Sequence, residues 1–152
     1  MPMPKRDASS ALISYDEDYH AWVVGQTALI EDGRFSALDI PNLVEELNAL
    51  ASSYRHAIES RLGVLLLHLL KWRWQPDKRT GSWESSIIEQ RSRIARRLKE
   101  SPSLRTYPGE ILEEEYRLAR RKAAAETGLP ISTFPEECPF TIEQVLDPDF
   151  LP

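Results

Sequence analysis

One apolar stripe constrains this chain more than any other feature. Ile40, Val44, Leu47, Ala51, Tyr54, Ile58, Leu62, Leu65, Leu69 and Trp72 recur at steps of three and four, the spacing that keeps side chains on one face of an α-helix. A single stutter, from Ile58 to Leu62, leaves the stripe facing one way. Asp39 supplies an N-cap and Pro41 falls in the first turn, where proline is tolerated. Gln75-Pro76 ends the pattern, because proline disfavours the α conformation in the residue before it. The spacing predicts one helix over 40–74, on the order of 50 Å long. Apolar positions multiply after Leu62, so the C-terminal half of this helix is expected to be the more enclosed.

A helix of that length needs neighbours, and the rest of the chain supplies them. A first helix is predicted over 16–31, with Tyr19, Trp22, Val23, Gln26, Leu29 and Ile30 facing inward and Asp32-Gly33 stopping it. Ser82 can cap a third, whose inner face carries Trp83, Ile87, Ile94 and Leu98 and whose outer face carries most of the arginines. Ser101-Pro102 breaks it. A fourth begins between 103 and 108 and ends at Thr127, where Gly128-Leu129-Pro130 matches a left-handed C′ glycine, an apolar C″ residue and a following proline. No stretch alternates as a half-buried strand would. The expected fold is all-α, a bundle of about four helices with one long central helix.

The last segment, 130–152, is rich in proline yet apolar, with Phe134, Phe140, Val145 and Phe150 spread along it. An extended tail of this kind should wrap the bundle and pack on it. Thr141 and Gln144 have capping-box spacing, which predicts one short helical turn. Residues 1–13 read as a flexible N-terminus and 14–152 as a single helical domain. The 152 residues, 41% hydrophobic and 28% charged, fit one globular domain and lie away from the disordered regime.

Several words in the sequence are familiar together: His68-Leu69-Leu70-Lys71-Trp72, Gln75-Pro76, Ser82-Trp83, Gln90-Arg91, Ser101-Pro102-Ser103-Leu104, Ala124-Ala125-Glu126-Thr127-Gly128-Leu129-Pro130, Phe134-Pro135 and Cys138-Pro139-Phe140-Thr141. With Tyr15-Asp16 and the stretch 39–46 they resemble a bacterial family known as domain of unknown function family 29, over about 14–152. The resemblance implies an all-helical single domain in a bacterial cytosol. It carries over no catalytic residue.

The residues themselves exclude several classes. A lone Cys138 can form neither an internal disulfide nor a cysteine zinc site, and such usage fits a reducing cytoplasm. The N-terminus has Lys5 and Arg6 but no apolar run behind them, so no export signal is expected. The longest apolar run, 62–70, falls far short of the ~20 residues that cross a bilayer. No Gly-rich phosphate loop or nucleophile and base pair is present, so no cofactor is expected and the sequence leans away from an enzyme without deciding the question. Glu136 and Glu137 disfavour a thiolate at Cys138.

Charge is unevenly distributed. Residues 1–70 carry a net minus 5, 71–105 plus 6 and 106–152 minus 6. Within the basic middle, Lys71, Arg73, Lys78, Arg79, Arg91 and Arg93 are interleaved with Trp72, Trp74 and Trp83. Tryptophan and arginine are the types enriched at interface hot spots, and the mixture could also hold phosphates and stack bases. One of Trp72 and Trp74 is expected to pack inward with Trp83, leaving the other either to a partner or to lie flat against its own bundle. The leading expectation is a non-enzymatic protein-interaction or regulatory module that binds another protein or itself. A nucleic-acid or phosphoanion binder using 71–105 is the alternative, disfavoured by a pI near 5.3. A metal-dependent bundle enzyme ranks third; His20, Glu45, Glu46, His56 and Glu59 supply ligand types, but His56-Ala57-Ile58-Glu59 reverses the usual Glu-x-x-His order. His68 lies among leucines and is expected to find a polar partner on another helix, such as Gln90.

Overall fold

The computed structural model describes residues 13–152; the N-terminal stretch before them, where most of the flexible segment was expected, lies outside the described residues. Five α-helices and no strand occur among the described residues: α1 Tyr19–Glu31, α2 Ile40–Trp74, α3 Gly81–Glu100, α4 Tyr107–Thr127 and α5 Ile142–Leu146. The fold is an all-α bundle with a long central helix, and α2 runs without interruption through Ser52 and Ser53. The chain divides into two compact units, Met1–Leu50 and Ala51–Pro152.

In the first unit, α1 starts at Tyr19 rather than at 16. Asp18 is its N-cap, accepting from the Ala21 amide at 2.9 Å, which leaves residues 15–17 to form the preceding turn. After α1 the chain turns at Gly33, whose φ of 70° favours glycine. Asp39 then ties the hairpin together. Its carboxylate accepts from the Trp22 indole at 3.0 Å and from the Asn42 side chain at 2.8 Å, and its amide donates to Gln26 Oε1 at 2.8 Å. The Asn42 bond, with help from Trp22, holds the Asp39 carboxyl below the usual range. Tyr19 reaches Glu46 while Gln26, two turns further along α1, reaches Asp39, so the first turns of α2 run antiparallel to α1.

Only Trp22, Gly25, Gln26 and Leu29 of α1 are buried. Tyr19, Val23 and Ile30, expected to face inward, are exposed. Among the described residues the hairpin has just two α-helices, and the indole and Leu29 fill the seam between them, so the outer apolar positions find no cover among the described residues of the unit.

The second unit holds the main core. Leu62, Leu65, Leu66, Leu69 and Leu70 of α2 meet Ile87 and Ile94 of α3, and Tyr116, Ala119 and Ala123 of α4. The denser half of α2 is indeed the enclosed one. Helix α3 begins two residues earlier than a Ser82 cap would place it, because the Thr80 hydroxyl caps it by accepting from the Trp83 amide at 3.2 Å. Helix α4 ends as its sequence predicts, with Gly128 at φ 72° and its amide on the Ala124 carbonyl. The tail packs onto the bundle through Phe134, Phe140 and Val145, all buried, and α5 carries the capping box of Thr141 and Gln144. Side chains of the bundle fasten the tail's backbone: Tyr116 Oη donates to the Pro135 carbonyl at 2.6 Å and Arg120 Nε to that of Phe134 at 3.0 Å.

Candidate functional site

The structure pairs each tryptophan of the basic segment with a cation of its own. The Arg79 guanidinium lies 4.9 Å from the Trp72 ring centre and its Nε donates to the Trp72 carbonyl at 2.8 Å. Arg73 covers Trp74, whose other contact is an edge-on packing against Phe134 at 5.6 Å. Lys71 sits 4.6 Å from the Trp83 ring centre and pairs with Glu126 at 3.1 Å. Trp72 and Trp74 are both half-buried against the core, so the expected division into one inward and one outward ring does not occur. Successive residues at the end of α2 point around the helix, and the tail meets one side while the connection to α3 meets the other.

The remaining basic candidates separate. Arg91 is buried, its Nε donating to the Val145 carbonyl at 2.8 Å. Arg93, two positions on and therefore about 200° around the helix, pairs with Glu89 at 2.6 Å, as helical spacing predicts. Lys78 is exposed. These contacts assign much of the positive charge to the fold itself.

Among the residues of the metal hypothesis, Glu46 accepts the hydroxyls of Tyr15 at 2.5 Å and Tyr19 at 2.7 Å, bonds that lower its own pKa and push Tyr15 up to about 12. Glu59 accepts from Tyr107 and lies 2.8 Å from His56 Nδ1; the Tyr107 bond foremost holds its carboxyl below the usual range. No group of three or more His, Cys, Asp or Glu placed to hold a metal occurs among the described residues. His20 and Glu45 are exposed side chains of the first unit. His68 bonds the Val64 carbonyl one turn back at 2.8 Å, and Gln90 accepts instead from Arg61 at 3.4 Å. The helix's own carbonyl was the nearer partner. Burial pushes the Cys138 thiol up to about 11, so it is not an activated nucleophile.

What sequence spacing did not reveal is an apolar groove of about 300 Å³ in the first unit. Tyr19, Val23 and Ile30 form its α1 wall, and Leu43, Leu47 and Leu50 its α2 wall. The side chains rise at helical spacing on each wall, one or two turns apart. Tyr19 is 51% exposed, Val23 37%, Ile30 48% and Leu47 64%, a density of open apolar surface that soluble proteins keep for contacts. Glu46 is the one charged group in the lining, and the two tyrosine hydroxyls occupy its oxygens. Around the groove the chain is acidic: residues 13–50 contain eight carboxylates and the single cation Arg34, apart from His20. The sequence signals for this surface were the apolar face of the first helix, with Tyr19, Val23 and Ile30, and Leu47 of the stripe at 40–54, whose character matches the buried stretch after Leu62. Periodicity defines a face without saying whether anything covers it.

A family model described as "Domain of unknown function DUF29" matches residues 14–151. No curated protein and no solved structure matches the chain. No helix among the described residues is long and apolar enough to cross a membrane.

Proposed function

The chain belongs to the family of domain of unknown function DUF29, a description that carries no activity, and we propose that it is a protein-interaction module whose first unit accepts a cationic amphipathic helix of a partner protein. The observation that carries this reading is the groove of α1 and α2, which no other described residue covers. Two antiparallel helices leave a channel that a third helix fills, with anchors at i, i+3 or i+4 and i+7 entering between the rungs of both walls. Charge chooses among occupants. Eight carboxylates against one arginine in residues 13–50 attract basic flanks on the incoming helix and speed its encounter. A second copy would bring the same carboxylates and be repelled. The lone, half-buried Cys138 supports a reducing bacterial cytoplasm as the setting.

The test uses a designed leucine and lysine peptide with helical amphipathic spacing, labelled for fluorescence anisotropy. Saturable binding is expected, weakening with salt, and Leu47→Asp should reduce affinity by about tenfold or more. A scrambled peptide of equal charge that binds equally well would contradict the reading. So would a wild-type homodimer that Leu47→Asp dissociates, since it would give the groove to a second copy.

A further inference from the structure

The second unit carries a different surface, a groove of about 680 Å³ along α3 and the facing part of α2. Arg61, Arg93, Arg96 and Arg97 line it together with Ser85 and Ser92, against the carboxylates Glu89 and Glu100. Four guanidinium groups and two carboxylates leave an excess of two positive charges in one concave site. The four do not stand equally satisfied. Arg93 is held by Glu89 at 2.6 Å, but Glu100 lies 3.9 Å from Arg97, at the limit of an ion pair. Arg96 has no hydrogen bond or ion pair among the described residues. Arg61 makes one long bond, to Gln90 at 3.4 Å, and its Nε is buried with no acceptor.

A buried guanidinium N–H without an acceptor costs free energy, and like charges gathered in one groove add to that cost. An oxyanion with several acceptor oxygens relieves both, and the planar, forked arginine side chain matches phosphate better than it matches any other common anion save carboxylate. We propose that this groove is a binding site for a small phosphorylated ligand carrying a diphosphate or two neighbouring phosphate groups. Size and charge favour a small ligand over a polymer. The volume falls in the range of small-molecule sites. Glu89 and Glu100, eleven residues or about 16 Å apart along α3, bracket Arg93, Arg96 and Arg97, so a nucleic-acid backbone continuing past the arginines in either direction would meet a carboxylate. Ser85 and Ser92 add hydroxyls that can donate to phosphate oxygens. The groove differs from the tryptophan-rich segment: Lys71, Arg73 and Arg79 are absent from its lining.

The experiment is calorimetric titration of the full chain with sodium pyrophosphate and with ADP at constant ionic strength. Saturable binding of pyrophosphate at one site per chain is expected, and Arg96→Ala with Arg97→Ala should weaken it by about tenfold or more, each lost charged contact being worth that order. Because both side chains reach solvent, circular dichroism should confirm that the variant is folded, and Arg61→Lys, which keeps the charge and removes the fork, should weaken binding too. Arg73→Ala, outside the groove, should leave affinity unchanged. Equal affinities for pyrophosphate and ADP identify the diphosphate as the recognised group; a tighter ADP complex assigns the site to a nucleotide. Absence of saturable binding at millimolar ligand, or binding indifferent to Arg96 and Arg97, would overturn the proposal. Tighter, steeply salt-dependent binding of single-stranded RNA would overturn it in favour of a polymer. Leu47→Asp should not affect either ligand, which keeps this site separable from the helix-binding groove.

Discussion

Arg91 Nε donates to the Val145 carbonyl at 2.8 Å, from a residue that is only 6% exposed. A second bond, from an Nη to the Gln144 carbonyl at 3.4 Å, completes the hold on the end of α5. The pair joins a basic side chain of α3 to backbone more than fifty residues later, at a short helix that could not persist by itself. Burial lowers the Arg91 pKa, and Asp147 nearby opposes that shift.

Replacing Arg91 with alanine should therefore destabilise the protein by about 2–4 kcal/mol, the range for a buried charged hydrogen-bonding group whose removal strands its acceptors. Urea unfolding measures the loss. Hydrogen exchange should further show the amides of α5 losing protection in the variant before those of α3 do.

Two carboxylates of the second unit should give opposite pH responses. The Glu59 pKa is lowered, foremost by Tyr107, so its contribution is fully present above the unfolded pKa and is lost as pH falls through the depressed folded value. The Glu115 pKa is raised, by burial first and by Glu59 next. Its contribution is present below the unfolded pKa and is lost as pH rises through the raised folded value. Thermal melts from pH 3 to 7 should show Tyr107→Phe losing about 1 kcal/mol at neutral pH, kept small by the partial exposure of the pair, and much less at the acid end. Glu115→Gln should gain on wild type as pH rises. A Tyr107→Phe deficit that is constant across pH would contradict the linkage.

Gly63 lies mid-helix, and a Cβ built there would stand 3.2 Å from Glu115 Oε2. Alanine normally improves on glycine inside a helix by about 1 kcal/mol. Here that gain should be offset by displacing Glu115, leaving Gly63→Ala near neutral. In a Glu115→Ala background the same change should recover the full gain of about 1 kcal/mol. A double-mutant cycle reads the coupling directly.

Local grammar made most of the helices legible. Asp39 with Pro41, Gly128-Leu129-Pro130 and the Thr141/Gln144 box each settle a terminus by satisfying backbone groups within a few residues, and each is found where the sequence puts it. The two displaced starts have the same kind of cause: Asp18 and Thr80 outcompete their neighbours as caps because their oxygens reach the amides three residues on. The sites were less legible. Helical spacing gives the Glu89–Arg93 pair, but Lys71 with Glu126 and Arg91 with Val145 depend on which helix lies opposite. The same limit hid the groove, since Leu47 and Leu50 are as apolar as Leu62 and Leu65 and only tertiary packing separates the open pair from the buried one.

The most direct test of the account is a two-dimensional amide NMR titration of the labelled chain with the cationic amphipathic peptide. The account predicts shifts clustered at Tyr19, Val23, Ile30 and Leu47, saturating with the peptide and abolished by Leu47→Asp while the spectrum of the second unit stays unchanged. Shifts centred on Trp72, Trp74 and Trp83, or shifts that persist undiminished in Leu47→Asp, would contradict it.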